Sequence, residues 1–476
     1  MKRKSGVLLP VFSLPSRYGA GNFGPGAYYF VDFLSDSGFT VWQILPLCPT
    51  DEFHSPYMSC ASFAGNTDFI SLELLTKDGL LTEEECEPFL QTNPYSCEWP
   101  LLGEKRKTLL RKAYERSDKK EAERFFSDSP EIVKAARFLA LRRKNCLRPF
   151  TEWTDSVPNA EEFGFELFLQ YLFYKQWEKL KAYANSKGIE IWGDLPFYVS
   201  PDSSDVYNNK GSFKLKKDGS PAFVAGVPPD YFAKDGQFWG NPVYDWKKVE
   251  EEGYAFIKQR IKHALSLYDG VRLDHFRAFS EYWEIPSSFD SARYGSWIEG
   301  PGRKCIDVIK ECAGDREIIA ENLGIIDKKT DELLEYSGFP GMAVFQFGFD
   351  GKNENCHLPH NYKENTVAYT GTHDNNTLLG FMWEIDENTR KNVLDYVGFK
   401  SYDWGQSYES IIRVLMMSKA ATVIFPIQDL LGFGGDTRFN TPGQAKGNWS
   451  FRVTLENLNS IDRKKWRKMN STYSRL

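Results

Sequence analysis

The stretch Val271-Arg272-Leu273-Asp274 is a short apolar run that ends in a carboxylate. The same pattern recurs at Ile319-Ala320-Glu321 and, with a longer polar ending, at Tyr369-Thr370-Gly371-Thr372-His373-Asp374. Short β-branched or apolar runs bounded by Gly, Pro or Asp predict strands. Such runs predict eight strands, at 7–10, 41–47, 189–195, 271–274, 317–321, 342–347, 366–370 and 422–427.

Helical patterns lie between these strands and are clearest at 165–185 and 249–268, where apolar residues recur every three and four positions. Strands that alternate with helices in this way predict an α/β fold, a (β/α)8 barrel. Active sites of such barrels lie at the C-terminal ends of the strands. Asp274, Glu321 and Asp374 lie at the C-terminal ends of the fourth, fifth and seventh predicted strands, so we expect them at one end of the barrel.

The regular alternation breaks between the second and third predicted strands, where roughly 140 residues replace a short connection. The middle of this insertion, about 75–155, is charged and helical in pattern, with helices predicted at 105–122 and 130–145. A second excursion, about 196–246, follows the third strand and is predicted to be a substrate loop. No flexible linker flanks the insertion, so residues 1–476 are predicted to form a single catalytic barrel domain.

Charge and composition exclude several classes of protein. A formal net charge of −6 gives no electrostatic basis for binding nucleic acid or an anionic membrane. No apolar run approaches the roughly 20 residues that span a bilayer, and Pro10 interrupts the apolar stretch after the basic start, so we expect a cytoplasmic protein. His357 and His360 form an HxxH in a loop-like context with only Cys356 nearby, and we predict no metal and no cofactor.

The three carboxylates suit the chemistry of glycosidic bonds, which usually needs a nucleophilic carboxylate and a second carboxyl group that moves a proton. Arg272 lies two residues before Asp274 on the same strand face, where its charge would keep Asp274 ionised. His373 adds a donor for sugar hydroxyls beside Asp374. Alone, each acid is more often a helix N-cap or a surface charge, and a lone His is more often structural. Their coincidence at three strand ends favours a sugar site.

Seven further segments carry a distinctive pattern: Ser55-Pro56-Tyr57, Phe63-Ala64-Gly65-Asn66, Gly193-Asp194-Leu195-Pro196-Phe197, Gly226-Val227-Pro228-Pro229-Asp230-Tyr231-Phe232, Trp239-Gly240-Asn241-Pro242, Gly338-Phe339-Pro340-Gly341-Met342 and Asn440-Thr441-Pro442-Gly443. Together with the three carboxylate segments, they make nearly the whole chain resemble the amylomaltases. These 4-alpha-glucanotransferases, or disproportionating enzymes, are relatives of the alpha-amylases. The segments 226–232 and 239–242 are specific to this family, and a generic amylase would not carry them.

The resemblance implies that Asp274 is the nucleophile, Glu321 the acid/base and Asp374 a third carboxylate that grips sugar hydroxyls. It further implies that Arg272 and His373 contact the reacting glucose. The remaining residues that it assigns to the site or the glucan path are Asp194, Tyr57, Asp230, Tyr231, Gln237, Trp239 and Asn440. Aromatic rings in such loops can also simply close the core. The chain departs from the family's usual pattern at Ala278, Asn322 and Asn376, none of which is a proposed catalytic carboxylate.

The resulting hypothesis is a 4-alpha-glucanotransferase that moves α-1,4-glucan segments between maltodextrins by a retaining double displacement. Glu321 would hold a proton near neutral pH through burial or a like-charged neighbour such as Asp374. One alternative is a hydrolase with the same carboxylates, and another is a non-catalytic glucan-binding protein built on the barrel. Glucans are the predicted partners, and the sequence predicts no oligomeric state.

Overall fold

The computed structural model of the chain describes residues 2–229, 235–324, 327–401 and 403–476. Its strands are β1 (Lys4–Leu8), β2 (Val41–Gln43), β3 (Glu190–Leu195), β4 (Phe223–Val227), β5 (Gln237–Pro242), β6 (Gly270–Leu273), β7 (Glu281–Pro286), β8 (Ser296–Glu299), β9 (Glu317–Ala320), β10 (Gly341–Val344), β11 (Thr366–Tyr369) and β12 (Thr422–Pro426). Eight of them close a barrel in the order β1-β12-β11-β10-β9-β6-β3-β2. Each of these eight overlaps a predicted strand, so the predicted (β/α)8 barrel is confirmed.

The α-helices of the described residues are α1 (Pro25–Ser37), α2 (Leu72–Lys77), α3 (Glu83–Cys86), α4 (Glu104–Arg116), α5 (Lys119–Phe125), α6 (Pro130–Lys144), α7 (Ala160–Ser186), α8 (Ser204–Asn208), α9 (Trp246–Glu251), α10 (Ala255–Leu267), α11 (Gly302–Ala313), α12 (Lys328–Ser337), α13 (Leu378–Glu384), α14 (Glu387–Tyr396), α15 (Tyr408–Met417), α16 (Ile427–Leu431), α17 (Leu455–Ser460) and α18 (Arg463–Thr472). Helix α11 shows why they pack on the barrel: Cys305, Ile306, Ile309 and Ala313 form one buried stripe. Among the described helices, none has both the length and the apolar content needed to cross a bilayer.

The register of the parallel strands brings the predicted site residues together. Asp194 of β3 and Arg272 of β6 are direct partners across two neighbouring strands. Beyond the strand ends, the amide of Asp274 donates to the carbonyl of Leu195 (3.1 Å), and the amide of Glu321 donates to that of Leu273 (3.0 Å). The ladder therefore continues one residue past β6 and β9 and places Asp274 and Glu321 side by side.

Close packing behind β3 requires a glycine at position 193. A Cβ on Gly193 would lie 2.2 Å from the ring of Tyr268, which follows α10. That separation is far below van der Waals contact, so a larger residue would push apart the strand and the ring. Tyr268 is 3% exposed and accepts a hydrogen bond from the amide of Leu47 (3.3 Å). Gly193 therefore allows β3, the strand that carries Asp194, to pack directly against Tyr268.

The insertion between β2 and β3 contains helices α2 to α7. The helix predicted at 105–122 is instead two helices, α4 and α5, because Ser117 is extended and Asp118 begins a new helix as its N-cap. The side chain of Asp118 accepts from the amide of Lys120 (3.1 Å). The helix predicted at 130–145 is observed as α6. That residues 75–155 form a subdomain of one catalytic domain stays a prediction.

The helix predicted at 249–268 is also broken. Gly253 and Tyr254 adopt the left-handed conformation, with φ of 63° and 59°, so the chain turns between α9 and α10. Apolar periodicity continues across this turn, which explains why the sequence pattern alone reads as one helix.

A second, antiparallel sheet lies beside the barrel in the strand order β5-β4-β7-β8. The sequence analysis did not predict it. Strands β4 and β5 belong to the 196–246 excursion, whereas β7 and β8 follow barrel strand β6. The ring of Trp239 in β5 meets that of His275 edge-on, with centroids 5.0 Å apart. This contact brings the small sheet to the end of β6, next to Asp274.

Candidate active site

Eight of the predicted site residues lie at the C-terminal end of the barrel, in or after six of its strands. Tyr57 follows β2, Asp194 lies in β3, Arg272 lies in β6, Asp274 follows β6, Glu321 follows β9, His373 and Asp374 follow β11, and Asn440 follows β12. This is the end at which (β/α)8 barrels carry their active sites. Asp230 and Tyr231 lie outside the described residues.

Arg272 joins two of the carboxylates. Its Nη1 atom lies 2.7 Å from Oδ2 of Asp194 and 3.0 Å from Oδ1 of Asp274. Burial lowers the pKa of Arg272, but the charges of Asp194 and Asp274 outweigh it and the net pKa is raised well above the usual value. Asp194 is fully buried, whereas the side chain of Asp274 is 30% exposed. The carboxylate of Asp274 is therefore paired with Arg272 and partly exposed to the cleft.

Tyr57 links this ion cluster to His373. Its hydroxyl donates to Oδ2 of Asp194 (2.8 Å) and lies 3.5 Å from Nδ1 of His373. The two rings stack, with centroids 5.1 Å apart and planes inclined by 20°. Burial raises the pKa of Tyr57 well above its usual value, so the hydroxyl keeps its proton as a donor. Tyr57 therefore orients both Asp194 and the imidazole.

Glu321 is held by two backbone amides. Oε2 accepts from the amide of His275 (2.7 Å) and Oε1 accepts from the amide of Leu323 (2.9 Å). His275 adopts the left-handed conformation at φ 50°, which turns its amide toward Glu321. Burial raises the pKa of Glu321 to about 7; the charge of Asp274 adds to this rise, while Arg272 and the two amides oppose it. Burial was expected, but the like charge comes from Asp274 rather than from Asp374.

Asp374 has the opposite electrostatic environment. Its Oδ1 accepts from Nδ2 of Asn440 (2.6 Å), and its Oδ2 lies 3.3 Å from Nε2 of His373. Desolvation favours the neutral acid, but His373, Asn440 and Arg272 outweigh it and hold the pKa of Asp374 well below its usual value. The side chain is 45% exposed, so this carboxylate is ionised and faces the cleft.

Arg438 belongs to the site but was missed by the sequence analysis. Its Nη2 atom donates to the backbone carbonyl of Asp374 (2.6 Å), and its Nε atom donates to that of Asn440 (2.5 Å). Arg438 therefore fixes Asp374 relative to the amide that binds it. The only signal for this role in the sequence is an arginine two residues before Asn440. Trp449 was also missed, and its ring centroid lies 6.0 Å from that of His373.

Gln237 and Trp239 lie together in β5, since Nε1 of Trp239 donates to Oε1 of Gln237 (3.1 Å). Trp239 contacts His275, which follows β6, so the pair lies near the C-terminal end of that strand.

Two of the residues that depart from the family pattern form hydrogen bonds nearby. Asn322 accepts a hydrogen bond from the amide of Met342 (2.7 Å), and Asn376 donates to Glu384 (2.7 Å).

The HxxH histidines have partners of their own. Nδ1 of His357 accepts from the amide of Val344 (3.2 Å), and Nδ1 of His360 lies 2.9 Å from the hydroxyl of Tyr396. Within the part of the chain that the structure describes, no group of three or more His, Cys, Asp or Glu side chains is arranged to hold a metal ion.

Comparisons with known proteins agree with this geometry. A family model described as 4-alpha-glucanotransferase matches residues 9–457. The 4-alpha-glucanotransferase of Streptococcus pneumoniae is 40% identical over 478 residues, covering 96% of this chain and 94% of that protein. The amylomaltase of Streptococcus agalactiae, solved in complex with acarbose, has 37% identity and a TM-score of 0.95 over 100% of both chains. The match spans every strand end that carries a carboxylate, and this chain therefore belongs to the 4-alpha-glucanotransferase family, the amylomaltases.

Proposed function

We propose that this chain transfers α-1,4-glucan segments by a retaining double displacement in which Asp274 is the nucleophile and Glu321 the acid/base. Family membership makes it a glucanotransferase, and the roles of individual residues are our proposal. The observation that carries them is the contrast between two neighbouring carboxyl groups. Asp274 contacts the guanidinium of Arg272 at 3.0 Å, whereas burial raises the pKa of Glu321 to about 7.

The first step breaks the glycosidic bond. The carboxylate of Asp274 attacks the anomeric carbon while protonated Glu321 gives its proton to the glycosidic oxygen. This oxygen leaves with the reducing-end part of the donor. A glycosyl ester on Asp274 and an ionised Glu321 result. In the second step Glu321 removes the proton from the 4-hydroxyl of an acceptor sugar, whose oxygen displaces Asp274. Glu321 regains its proton, so one bond is made for each bond broken.

Asp374, His373 and Asn440 support these steps from the other side of the cleft. An ionised Asp374 accepts hydrogen bonds from sugar hydroxyls, and those bonds strengthen as the ring distorts toward the transition state. His373 supplies a donor beside it. The proposed steps use protein side chains for the acid, base and nucleophile, and we propose no cofactor.

Transfer to a sugar must outcompete hydrolysis by water. We propose that Gln237 and Trp239 of the small sheet bind the acceptor and exclude water near Asp274. Asp230 and Tyr231 are proposed to act with them. A hydrolase with the same carboxylates is the alternative, and the family-specific segments 226–232 and 239–242 favour transfer.

The proposed partners are maltooligosaccharides, amylose, and fragments of glycogen or starch. The net charge of −6 supports a neutral substrate over nucleic acid or an anionic membrane. We propose a cytoplasmic location for the protein.

Incubation with maltotriose as the sole substrate tests the proposal. We expect glucose and a series of longer maltodextrins, with an almost constant number of reducing ends, because a sugar accepts the glycosyl group. Chromatography of the products and a reducing-end assay measure both quantities, with Asp274→Asn as the inactive control. A steady rise in reducing ends with no product longer than maltotriose would identify water as the acceptor and favour the hydrolase.

A further inference from the structure

Asp429 is a buried carboxyl group that neither the sequence analysis nor the proposed chemistry includes. It lies in α16, directly after barrel strand β12, and is 1% exposed. Its Oδ2 atom accepts from the hydroxyl of Thr370 (2.5 Å), and its Oδ1 atom accepts from the backbone amide of Leu378 (2.8 Å). One side chain thus contacts the last residue before, and the first residue after, the loop 371–377.

The loop 371–377 carries His373 and Asp374. Inside it, Oδ1 of Asn375 accepts from both the amide and the hydroxyl of Thr372 (2.9 Å each), and the amide of Asp374 donates to that hydroxyl (3.2 Å). These bonds make the loop a tight unit. Asp429 holds this unit both where the chain enters it and where the chain leaves it.

Residues near Asp429 in the chain also contact the backbone of Asp374 or of the residue next to Arg438. The side-chain amide of Gln428, the preceding residue, donates to the carbonyl of Thr437 (2.8 Å). Arg438 comes next in the chain and donates to the carbonyl of Asp374. The segment 428–438, which follows β12, therefore forms hydrogen bonds at both ends of the 371–377 loop and at Asp374.

A buried carboxyl group at this position is unfavourable for stability alone. Burial raises the pKa of Asp429 to about 7, and the hydrogen bonds from Leu378 and Thr370 offset that rise only in part. A less polar residue of similar size would avoid this desolvation cost. The acidic side chain therefore calls for a role other than filling the core.

We propose that Asp429 is a positioning residue that aligns His373 and Asp374 with the reacting sugar by fixing both ends of the 371–377 loop. The inference rests on the proposed role of Asp374 in the transition state. A carboxylate that must meet sugar hydroxyls at hydrogen-bond distance tolerates little displacement, because a misplacement of about 1 Å can cost about 100-fold in rate. The effect of Asp429 should therefore appear in kcat more than in KM.

Two substitutions at position 429 test this. Asp429→Leu removes both hydrogen bonds, and we expect kcat on maltotriose to fall by about 100-fold with a small change in KM. Asp429→Asn keeps an acceptor for Leu378 and a donor toward the hydroxyl of Thr370, so it should recover kcat to within roughly threefold of wild type. The rates are divided by the concentration of active sites, obtained from the burst of covalent intermediate.

Thr370→Val supplies a milder variant that preserves side-chain shape and removes one of the two bonds. We expect a loss in kcat of roughly 5- to 10-fold, and the double variant with Asp429→Leu should be no slower than Asp429→Leu alone, because the same bond is lost. Glu166→Gln is the matched control. Glu166 is also 1% exposed and contacts Arg143 at 2.7 Å, but it lies in α7 of the insertion. Its loss should lower thermal stability and leave kcat unchanged.

The outcomes separate this inference from the proposed function. If Asp374→Asn abolishes activity while folded Asp429→Leu and Thr370→Val keep wild-type kcat, Asp429 is merely structural and the inference is wrong. If Asp374→Asn itself retains activity, the proposed role of Asp374 fails first. A kcat loss in Asp429→Leu that Asn restores supports the inference.

Discussion

At the scale of single residues, environment rather than residue type distinguishes the two central carboxyl groups. Asp274 follows β6 and faces Arg272, whose Nη1 atom lies 3.0 Å away. Glu321 follows the neighbouring strand β9, where burial and the charge of Asp274 raise its pKa to about 7 against the opposing effect of Arg272 and two backbone amides. Two carboxyl groups in such different environments can serve as an acid and a nucleophile at one pH.

The raised pKa of Glu321 predicts the pH dependence of the first step. The acid form is the reactive one, so kcat/KM for maltotriose should fall as the pH rises above about 7. Glu321→Gln should lower kcat on maltotriose by about 10²- to 10⁴-fold, because Gln has no proton to transfer. With α-maltosyl fluoride, whose leaving group needs no acid, the variant should still form the covalent intermediate and show no basic limb. A basic limb that persists in this variant would assign the titration to another group.

The sequence predicts the carboxylates better than it predicts the residues that hold them. Asp274 and Arg272 are recognisable together because side chains two apart share a strand face. For Arg438 the only signal is its place two residues before Asn440, and Asp429 has none. Arg438 donates to the backbone carbonyl of Asp374, whereas Asp429 accepts from the hydroxyl of Thr370 and the amide of Leu378. These contacts exist only once β11 and β12 lie side by side.

At the scale of elements, the eight barrel strands were predictable because strands buried on both faces form nearly continuous apolar runs. The small sheet was not, since β4 pairs with β7, which follows both β5 and β6 in the sequence, and no local pattern reports such a pairing. The break within 249–268 was missed because apolar periodicity runs on through Tyr254. The break within 105–122 was missed because the Glu, Arg and Lys residues on both sides of Ser117 favour a helix. Only capping and a left-handed residue end those helices.

The small sheet predicts a change in product partition. Trp239→Ala removes the ring that meets His275 edge-on at 5.0 Å, beside Asp274, the proposed nucleophile. We expect the ratio of hydrolysis to transfer to rise by about 2- to 10-fold, because the acceptor loses a stacking surface and water gains access. Reducing-end release relative to maltodextrin growth measures this ratio. Trp383→Ala is the control, since Trp383 is 71% exposed on α13, and an equal shift in it would contradict a specific role for Trp239.

At the scale of the whole molecule, the barrel is closed by a seam between residues that are far apart in the sequence. Strand β1 pairs with β12 from Lys4 opposite Thr422 to Leu8 opposite Pro426. Arg475 is fully buried beside this seam and donates hydrogen bonds to carbonyl groups on both sides of it. The carbonyls are those of Lys4, Met416, Ser418, Ala420 and Ala421.

Removal of this guanidinium should weaken the whole barrel. Arg475→Ala removes hydrogen bonds to five carbonyls, although those of Met416 and Ser418 keep a bond from Arg3 and that of Ala421 keeps one from the amide of Lys4. We expect a loss of about 2 to 4 kcal/mol in the free energy of unfolding. Urea titration followed by circular dichroism measures it, and Lys468→Ala, an exposed cation on α18, is the control. A variant as stable as wild type would show that the seam is held by strand pairing alone.

The pairing of β1 with β12 also determines when, during synthesis of the chain, the barrel can first close. During synthesis at roughly 5 to 20 residues per second, the ribosome needs on the order of 20 to 80 s to add β12 after β1. Until then β1 has one edge without its partner, and unpaired edges invite pairing with other chains. The carboxylates after β6, β9 and β11 emerge well before this closure. Each new molecule thus passes through a period in which its three carboxylates exist but the barrel that aligns them is still open.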